Sequence, residues 1–256
     1  RQTVESVSIG TLEASVAIGS TLLNYDDRAS VMDLPYLFDT HKAARAAFDG
    51  DFGEKFNEIC LKNNMVILAW GENGFRNVTN NRGPVYKPED LKGLKIRTME
   101  TPYHVRAFKL WGANPTPMSF GELYTALQQG TVDAQENPIS IIYTSKLNQV
   151  QDYCSLTGHV YGTAVLFFSK SFLDSLPKEY QTIVIEAGKS WEKAQREVAY
   201  QQDTELIDEL KALGMKINDL TLEQKSKFRE AAGPLYEEYA KQYGEELIDL
   251  AMQYNK

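Results

Sequence analysis

An α/β fold of two similar lobes, with one long helix running across both, is what this sequence predicts. Three observations predict it. First, a helix–Gly–strand unit recurs: "SVSIGTLEAS" and "TALQQGTVDAQ" share a helix end, Gly-Thr, an apolar residue, an acid and Ala, while "FKLWGANPTP" and "LKALGMKIND" share helix, Gly and strand. Second, short apolar runs end in polar groups such as Arg97 and Gln135-Glu136-Asn137, as strands do where exit loops converge on a ligand. Third, a helical repeat of Ile183, Ala187, Trp191, Ala194, Val198 and Ile207 continues from Lys178 to about Leu213, far beyond the usual three turns or so. The repeat is not a sustained heptad, which favours a brace between lobes over a coiled-coil seam. The expected division is residues 1–75 plus about 163–203 in lobe one and 76–162 plus about 204–256 in lobe two, with a ligand cleft between them. Connections are expected near Gly74–Arg76 and along Tyr161–Ser169.

The elements follow in order. The Gly10-Thr11 turn leads into a strand over Leu12–Ile18, and Pro35 breaks the apolar "ASVMDLPYLF". "HKAARAAFDGDFGEKFNEICLKNN" carries i, i+3, i+4 spacing with a break at Gly50–Gly53. "MVILAWGEN" is a continuous apolar run that reads as a fully buried parallel strand ending in Gly71 and Glu72. Pro88 opens a short helix. "LKIRTM" is a strand, and "TPYHVRAFKLWG" is a helix with Thr101 as N-cap, Pro102 at its first position and Gly112 as C-cap. "NPTPM" is held extended by its prolines. In "SFGELYTALQQG", Ser119 and Glu122 have capping-box spacing. "TVDAQENP" is a strand with its exit loop; Tyr161–Ser169 and "LGMKIND" are the later strands. Thr221 to Tyr254 reads as two amphipathic helices.

Composition narrows the function. The chain has 256 residues and a net charge of −8, with no basic excess to neutralise the phosphates of a nucleic acid. No stretch approaches the length of apolar residues that crosses a bilayer. The opening "RQTVESVSIGTLE" lacks the charged and apolar regions of a signal peptide, so none is expected within this chain. Cys60 and Cys154 match no zinc spacing. Two unpaired buried thiols are the preferred reading, with a single disulfide as the alternative. His41, His104 and His159 are isolated and read as surface or capping residues, so no metal or cofactor is expected. There is no G-x-S-x-G elbow, H-E-x-x-H, Walker loop or G-x-G-x-x-G.

The polar strand ends are the candidate site. Arg97 closes "LKIR"; its planar fork suits a carboxylate, and a strand-end salt bridge is the alternative. Arg76 in "ENGFRN" fits a ligand contact or a hinge salt bridge equally well. Asn137 precedes Pro138, so its side chain either meets a ligand or caps a turn. Glu72, after "VILAW", either accepts from ligand hydroxyls or is a solvated strand-end carboxylate. Met99 is a weaker cleft candidate, with core packing as its default.

The stretch "LKGLKIRTME…GANPTPMSFGELYTALQQGTVDAQENP" closely resembles the extracytoplasmic solute-binding proteins of TRAP (tripartite ATP-independent periplasmic) transporters. "IGTLEASV", "MDLPYLF" and "ENGFRNVTN" match the same family in the same order, and the likeness covers essentially the whole chain. The resemblance implies a two-lobed, periplasmic-binding-protein-like α/β fold. It implies a periplasmic, monomeric binder of a small carboxylate-bearing solute, an organic acid or a sugar acid such as a uronate. That solute is handed to TRAP membrane permease subunits, and the binder has no chemistry of its own. It assigns Arg97 to the substrate carboxylate, Arg76 to a second cleft arginine, Asn137 to a hydrogen bond with the same carboxylate and Phe120 to a cleft aromatic. Family members also carry a strand and a helix ahead of the "IGTLEASV" region, so the first lobe is expected to lack them here. The rival readings are a small-molecule enzyme and a sensory ligand-binding module on the same scaffold.

Overall fold

The computed structural model describes residues 2–255. In chain order its elements are α1 (Gln2–Ser8), β1 (Ala14–Ala17), α2 (His41–Asp49), α3 (Asp51–Lys62), β2 (Met65–Asn80), β3 (Lys95–Thr98), α4 (Pro102–Leu110), β4 (Asn114–Pro117), α5 (Phe120–Gln128), β5 (Ala134–Pro138) and α6 (Ile139–Thr144). Then follow β6 (Tyr153–Leu156), β7 (Tyr161–Ser169), α7 (Lys170–Ser175), α8 (Lys178–Ala212), β8 (Lys216–Asp219), α9 (Leu222–Ala231), α10 (Gly233–Tyr243) and α11 (Glu246–Met252).

One strand organises the molecule. From Met65 to Phe75, β2 pairs antiparallel with β7, whose other edge carries β1. From Arg76 to Asn80 it pairs antiparallel with β5, and from Val78 with β6. Beyond β5 lie β3 and then β4, both parallel; β8 runs parallel to β6. The expectation of a parallel strand ending at Gly71 is therefore corrected. The strand is antiparallel, 16 residues long, and only half-buried at Val66, Ile67 and Leu68. Its polar second half does not leave the sheet, because a second set of strands satisfies that backbone.

The chain changes sheets at Gly74–Arg76, as expected. There β2 carries a bulge between Glu72 and Gly74, and Gly74 sits at φ +95°, a region that disfavours any Cβ. The return crossing differs from expectation. Arg76 N–H donates to the Val160 carbonyl at 2.8 Å and His159 N–H to the Arg76 carbonyl at 3.2 Å. The chain thus crosses back at 157–160, and β7 lies wholly beside the first half of β2.

Helix α8 has the length its periodicity predicted, 35 residues. Its first half is tied to β2 through side chains. Glu192 accepts from Trp70 N–H at 2.9 Å, Gln195 bonds both the N–H and the carbonyl of Glu72 at 2.6 Å, and Arg196 Nε donates to the Trp70 carbonyl at 2.7 Å. Gly188 is needed here, since a Cβ would stand 3.0 Å from Leu68. Near its other end Leu206, Ile207 and Leu210 join a second apolar cluster with Leu123, Leu127, Ile142 and Leu147. The larger cluster contains Phe52, Phe56, Phe108, Phe167 and Tyr239. Burying a side chain of that size is worth about 1.5–3 kcal/mol.

The C-terminal segment forms three helices rather than two, because Gly233-Pro234 and Gly244 (φ +85°) each interrupt it. It packs back on the N-terminal region: Tyr236 and Tyr239 donate to the Pro35 and Arg28 carbonyls at 2.8 Å, and Lys55 pairs with Glu246 at 2.7 Å. Cys60 and Cys154 are buried free thiols, each pushed up to about 12 by burial. Two caps differ from expectation. Ser119 Oγ bonds Glu122 Oε2 at 2.5 Å instead of the helix backbone, and Thr101 makes no side-chain cap bond at all.

Candidate ligand-binding site

Where β2 changes sheets, the exit of β3, the start of α5 and the end of β5 face β1 and the turn after it across a cavity of about 740 Å³. Five of the six candidates line it: Arg76, Arg97, Met99, Phe120 and Asn137. Val16, Ile18 and Thr21 stand on the β1 side. The volume is that of an ordinary small-molecule site.

Arg97 is 3 % exposed. Its Nε and Nη2 donate to the Met118 carbonyl at 2.9 and 2.7 Å, and the Phe120 ring centroid lies 6.0 Å from its Cζ. These contacts fix the plane of the fork while leaving most of its donors uncommitted. Burial is the main cause that pulls its pKa down to about 10; Glu136 opposes the shift and Arg76 adds to it. The cation is thus held dry against a neutral carbonyl, a setting that favours an incoming anion.

Arg76 is equally buried but already answered. Nε meets Glu136 Oε2 at 2.5 Å, and Nη2 meets Glu136 Oε1, the Glu136 carbonyl and Asn137 Oδ1 at 2.8, 2.6 and 3.1 Å. Asn137 is held in turn by Gln135 Oε1 at 2.5 Å. Asn137 therefore does not cap a local turn; its amide is positioned by the wall of the cavity.

Glu72 is the exception. Its carboxylate is fully buried and faces away, held by His41 Nδ1 and Arg45 Nε at 2.7 Å and by Tyr161 OH at 2.9 Å. The bulge explains the misplacement. Side chains alternate along a strand, but one inserted residue reverses the alternation, so Asn73 and Arg76 face this cavity while Phe75 and Asn77 line another on the opposite side. That rear cavity, about 720 Å³, is similar in size, but its arginine, Arg229, is bonded to Asp39. His41, Glu72 and Asp203 bring possible ligand atoms within 4.8 Å of one another there. Both Glu72 oxygens are engaged by the contacts above, and Asp203 Oδ1 has no hydrogen-bond partner among the described residues.

The histidine expectation is also corrected. His104 and His159 are each 1 % exposed, buried behind Arg76. His159 Nε2 lies 3.0 Å from Glu136 Oε2 and its Nδ1 2.8 Å from Thr157 Oγ1. His104 stands at ion-pair distance, 3.3 Å from Asp33 and 3.6 Å from Glu136. Glu136 is the hub: burial alone would raise its pKa, but Arg76 and then His104 and His159 hold it well below the usual range. Nothing in the spacing of positions 41, 104 and 159 reveals this; α4 and the strand crossing bring His104 and His159 to the same carboxylate.

His104 gives a pH prediction. Burial opposes its charge, but Glu136 and then Asp33 outweigh burial and raise its pKa to about 9. A raised folded value means the stabilisation is complete below the unfolded pKa of about 6.5 and is lost as pH rises towards the folded value. The stability difference between wild type and His104→Gln should therefore shrink from pH 6.5 to 9. Urea titrations at several pH values check this, and a constant difference refutes it.

Comparison with known proteins identifies the family. Residues 1–242 match the family of bacterial extracellular solute-binding proteins, family 7. The chain belongs to this family. As a family 7 solute-binding protein it is 39% identical over 249 residues to a solute-binding protein of Verminephrobacter eiseniae, covering 97% of this chain and 74% of that one. It is 35% identical over 214 residues to the 2,3-diketo-L-gulonate-binding periplasmic protein of Escherichia coli, covering 84% of this chain and 65% of that one. A crystal structure of a TRAP periplasmic solute-binding protein from Polaromonas sp. JS666, bound to D-erythronate, superposes with a TM-score of 0.92 at 39% identity, covering 98% of this chain and 82% of that one. The two-lobed TRAP binding-protein fold is thus shown, long helix included. The family is one of solute-binding proteins, not of enzymes.

Proposed function

We propose that this protein captures a small carboxylate-bearing solute, an organic or sugar acid, in the periplasm and delivers it to a TRAP membrane permease, acting as a monomer without chemistry of its own. The observation that carries the proposal is Arg97: a nearly fully buried guanidinium at a strand end, braced by a backbone carbonyl and open to a cavity of about 740 Å³. Asn137 and Arg76 stand beside it as further carboxylate contacts, Phe120 and Met99 as apolar walls. D-erythronate in the Polaromonas protein and diketogulonate in the name of the E. coli protein are both carboxylates, which supports the reading. Residues 1–75 with about 163–203, and 76–162 with about 204–256, act as the two lobes. The strand crossings at Gly74–Arg76 and 157–160 serve as hinges, and the C-terminal helices of the second lobe also bond the first, through Tyr236 and the Pro35 carbonyl.

Thermal denaturation against a library of organic and sugar acids tests the proposal. A ligand at 100 times its Kd stabilises the folded state by about 2.7 kcal/mol, so a true ligand should raise Tm by several degrees. A library in which amines or neutral sugars stabilise and no acid does would overturn it.

A further inference from the structure

We infer that the rear cavity is a second ligand site that takes a small ω-amino acid, with Asp203 and His41 holding the ammonium at one end and Lys225 the carboxylate at the other. Two charged side chains without partners, one at each strand crossing, lead there.

The first is Asp203, on α8. It lines the rear cavity and makes no hydrogen bond or ion pair among the described residues. Its Oδ1 is sealed from solvent, so the cavity reaches the carboxylate through Oδ2. That oxygen lies against the first crossing, where a Cβ on Gly74 would stand 2.6 Å from it. Burial is the main cause that pushes Asp203 up to about 7, with His41 opposing and Glu72 adding; an arriving cation favours the charged form again. Beside it, His41 Nδ1 bonds Glu72 Oε1 at 2.7 Å. A carboxylate only accepts, so the neutral ring keeps Nε2 as an acceptor. Phe75 and Tyr200 meet the His41 ring edge-on at 4.9 and 5.3 Å and line the cavity with it, and aromatic rings favour a neighbouring ammonium. The charge of this corner suits one ammonium. Glu72 is answered by Arg45, which leaves the single negative charge of Asp203. A divalent metal ion would put excess positive charge beside Arg45, with both Glu72 oxygens already engaged.

The second is Lys225, on α9. It is half-buried, lines the same cavity and has no ion pair among the described residues. Burial is the main cause that lowers its pKa, and Asp219 acts against that shift from beyond ion-pair distance. Its Nζ stands at the other crossing, 3.5 Å from where a Cβ on Gly158 would be. Arg229, the cavity's arginine, is bonded to Asp39, so Lys225 is the cation left for a ligand carboxylate. The separation of the two charges selects the ligand. Gly158 N–H donates to Asn77 Oδ1 at 3.0 Å, and Asn77 lies three residues beyond Gly74 on β2, roughly 10 Å along a strand. A hydrogen bond at each end uses about 3 Å, which leaves room for several methylenes between ammonium and carboxylate. An α-amino acid, with both groups on one carbon, is too short. Phe75, Ile139, Leu156 and Ile207 supply apolar wall for the methylenes.

Calorimetric titration of the unliganded protein with glycine, 4-aminobutanoate, 6-aminohexanoate and hexylamine tests this. The better of the two ω-amino acids should bind at least about tenfold more tightly than glycine or hexylamine, the loss expected when a charged group goes unpaired. Asp203→Asn and Lys225→Met should each weaken it about tenfold, while Arg97→Ala leaves it unchanged. Proton NMR of the wild type locates the ligand without any variant, since the chain has 3 histidines: the His41 ring should shift, and His104 and His159, behind Arg76, should not. A shift confined to His104 and His159, or affinity lost in Arg97→Ala and kept in Asp203→Asn, puts the amino acid in the front cavity and overturns the inference. Hexylamine that binds as tightly as the ω-amino acids overturns it as well, as does Zn²⁺ that binds through Asp203 while no amine does. None of these outcomes touches the carboxylate reading, which organic acids at Arg97 decide.

Discussion

Replacing Arg97 by alanine is expected to weaken binding of the carboxylate ligand at least ~30-fold, because each factor of ten is about 1.4 kcal/mol and truncating one partner of a buried charge pair costs about 2–5 kcal/mol. The expectation follows from where the side chain is held. Arg97 stands one residue before the end of β3, is 3 % exposed, and is fixed by two bonds to the Met118 carbonyl and by the Phe120 ring 6.0 Å away. Burial already pulls its pKa down to about 10, so the free protein bears the cost of a dry cation that a ligand carboxylate then relieves. Arg97→Lys should recover only part of the affinity: the charge returns, but the planar pair of donors does not. An uncharged amide of the ligand should bind wild type poorly and lose little further in the alanine variant. Calorimetry of the three proteins with acid and amide measures all of this. Affinity for the acid that is unchanged in Arg97→Ala would place the carboxylate elsewhere, with Arg76 the next candidate.

The parts of this molecule that could be read from the sequence are those governed by local pattern. The length of α8 follows from its apolar repeat, and the placement of Arg97 and Asn137 beside one cavity follows from strand ends in an α/β sheet. What could not be read depends on how distant segments meet. Gly71, Glu72 and Asn73 look like an exit loop, which predicts too short a β2, yet the backbone there is satisfied by β7 and then by β5. The bulge at Gly74 reversed the facing of Glu72; a glycine inside a strand pattern was the available signal. The histidines misled because spacing along the chain says nothing about a crossing at 157–160 that sets His159 against Glu136, or about His104 arriving from α4. Thr101 precedes Pro102 as a cap should, yet its hydroxyl makes no cap bond, which no local rule announces.

The second large effect is expected at Glu136. Its carboxylate is fully buried and bonded to Arg76 twice, at 2.5 and 2.8 Å, and to His159 at 3.0 Å. Truncating it leaves Arg76 charged, dry and without its counter-ion. Glu136→Ala should therefore destabilise the unliganded protein by about 3–5 kcal/mol, the usual cost of breaking a buried pair from one side. Removing both charges is a different experiment. Arg76→Met combined with Glu136→Leu replaces the pair by apolar groups of similar volume, an exchange that is often close to neutral, so the double variant should be more stable than Glu136→Ala alone. The pH dependence has a definite sign. Glu136 is held well below the usual carboxylate range, so its contribution is complete above the unfolded pKa of about 4.3 and is lost as pH falls towards the folded value. Wild type should thus lose more stability on acidification below that point than Glu136→Ala does. Urea denaturation of wild type, Glu136→Ala and the double variant, repeated at acidic pH, measures these differences. A Glu136→Ala cost under about 1 kcal/mol, within the range of an exposed pair, would mean that Arg76 finds water or another acceptor once Glu136 is gone, and that this buried network adds little to stability.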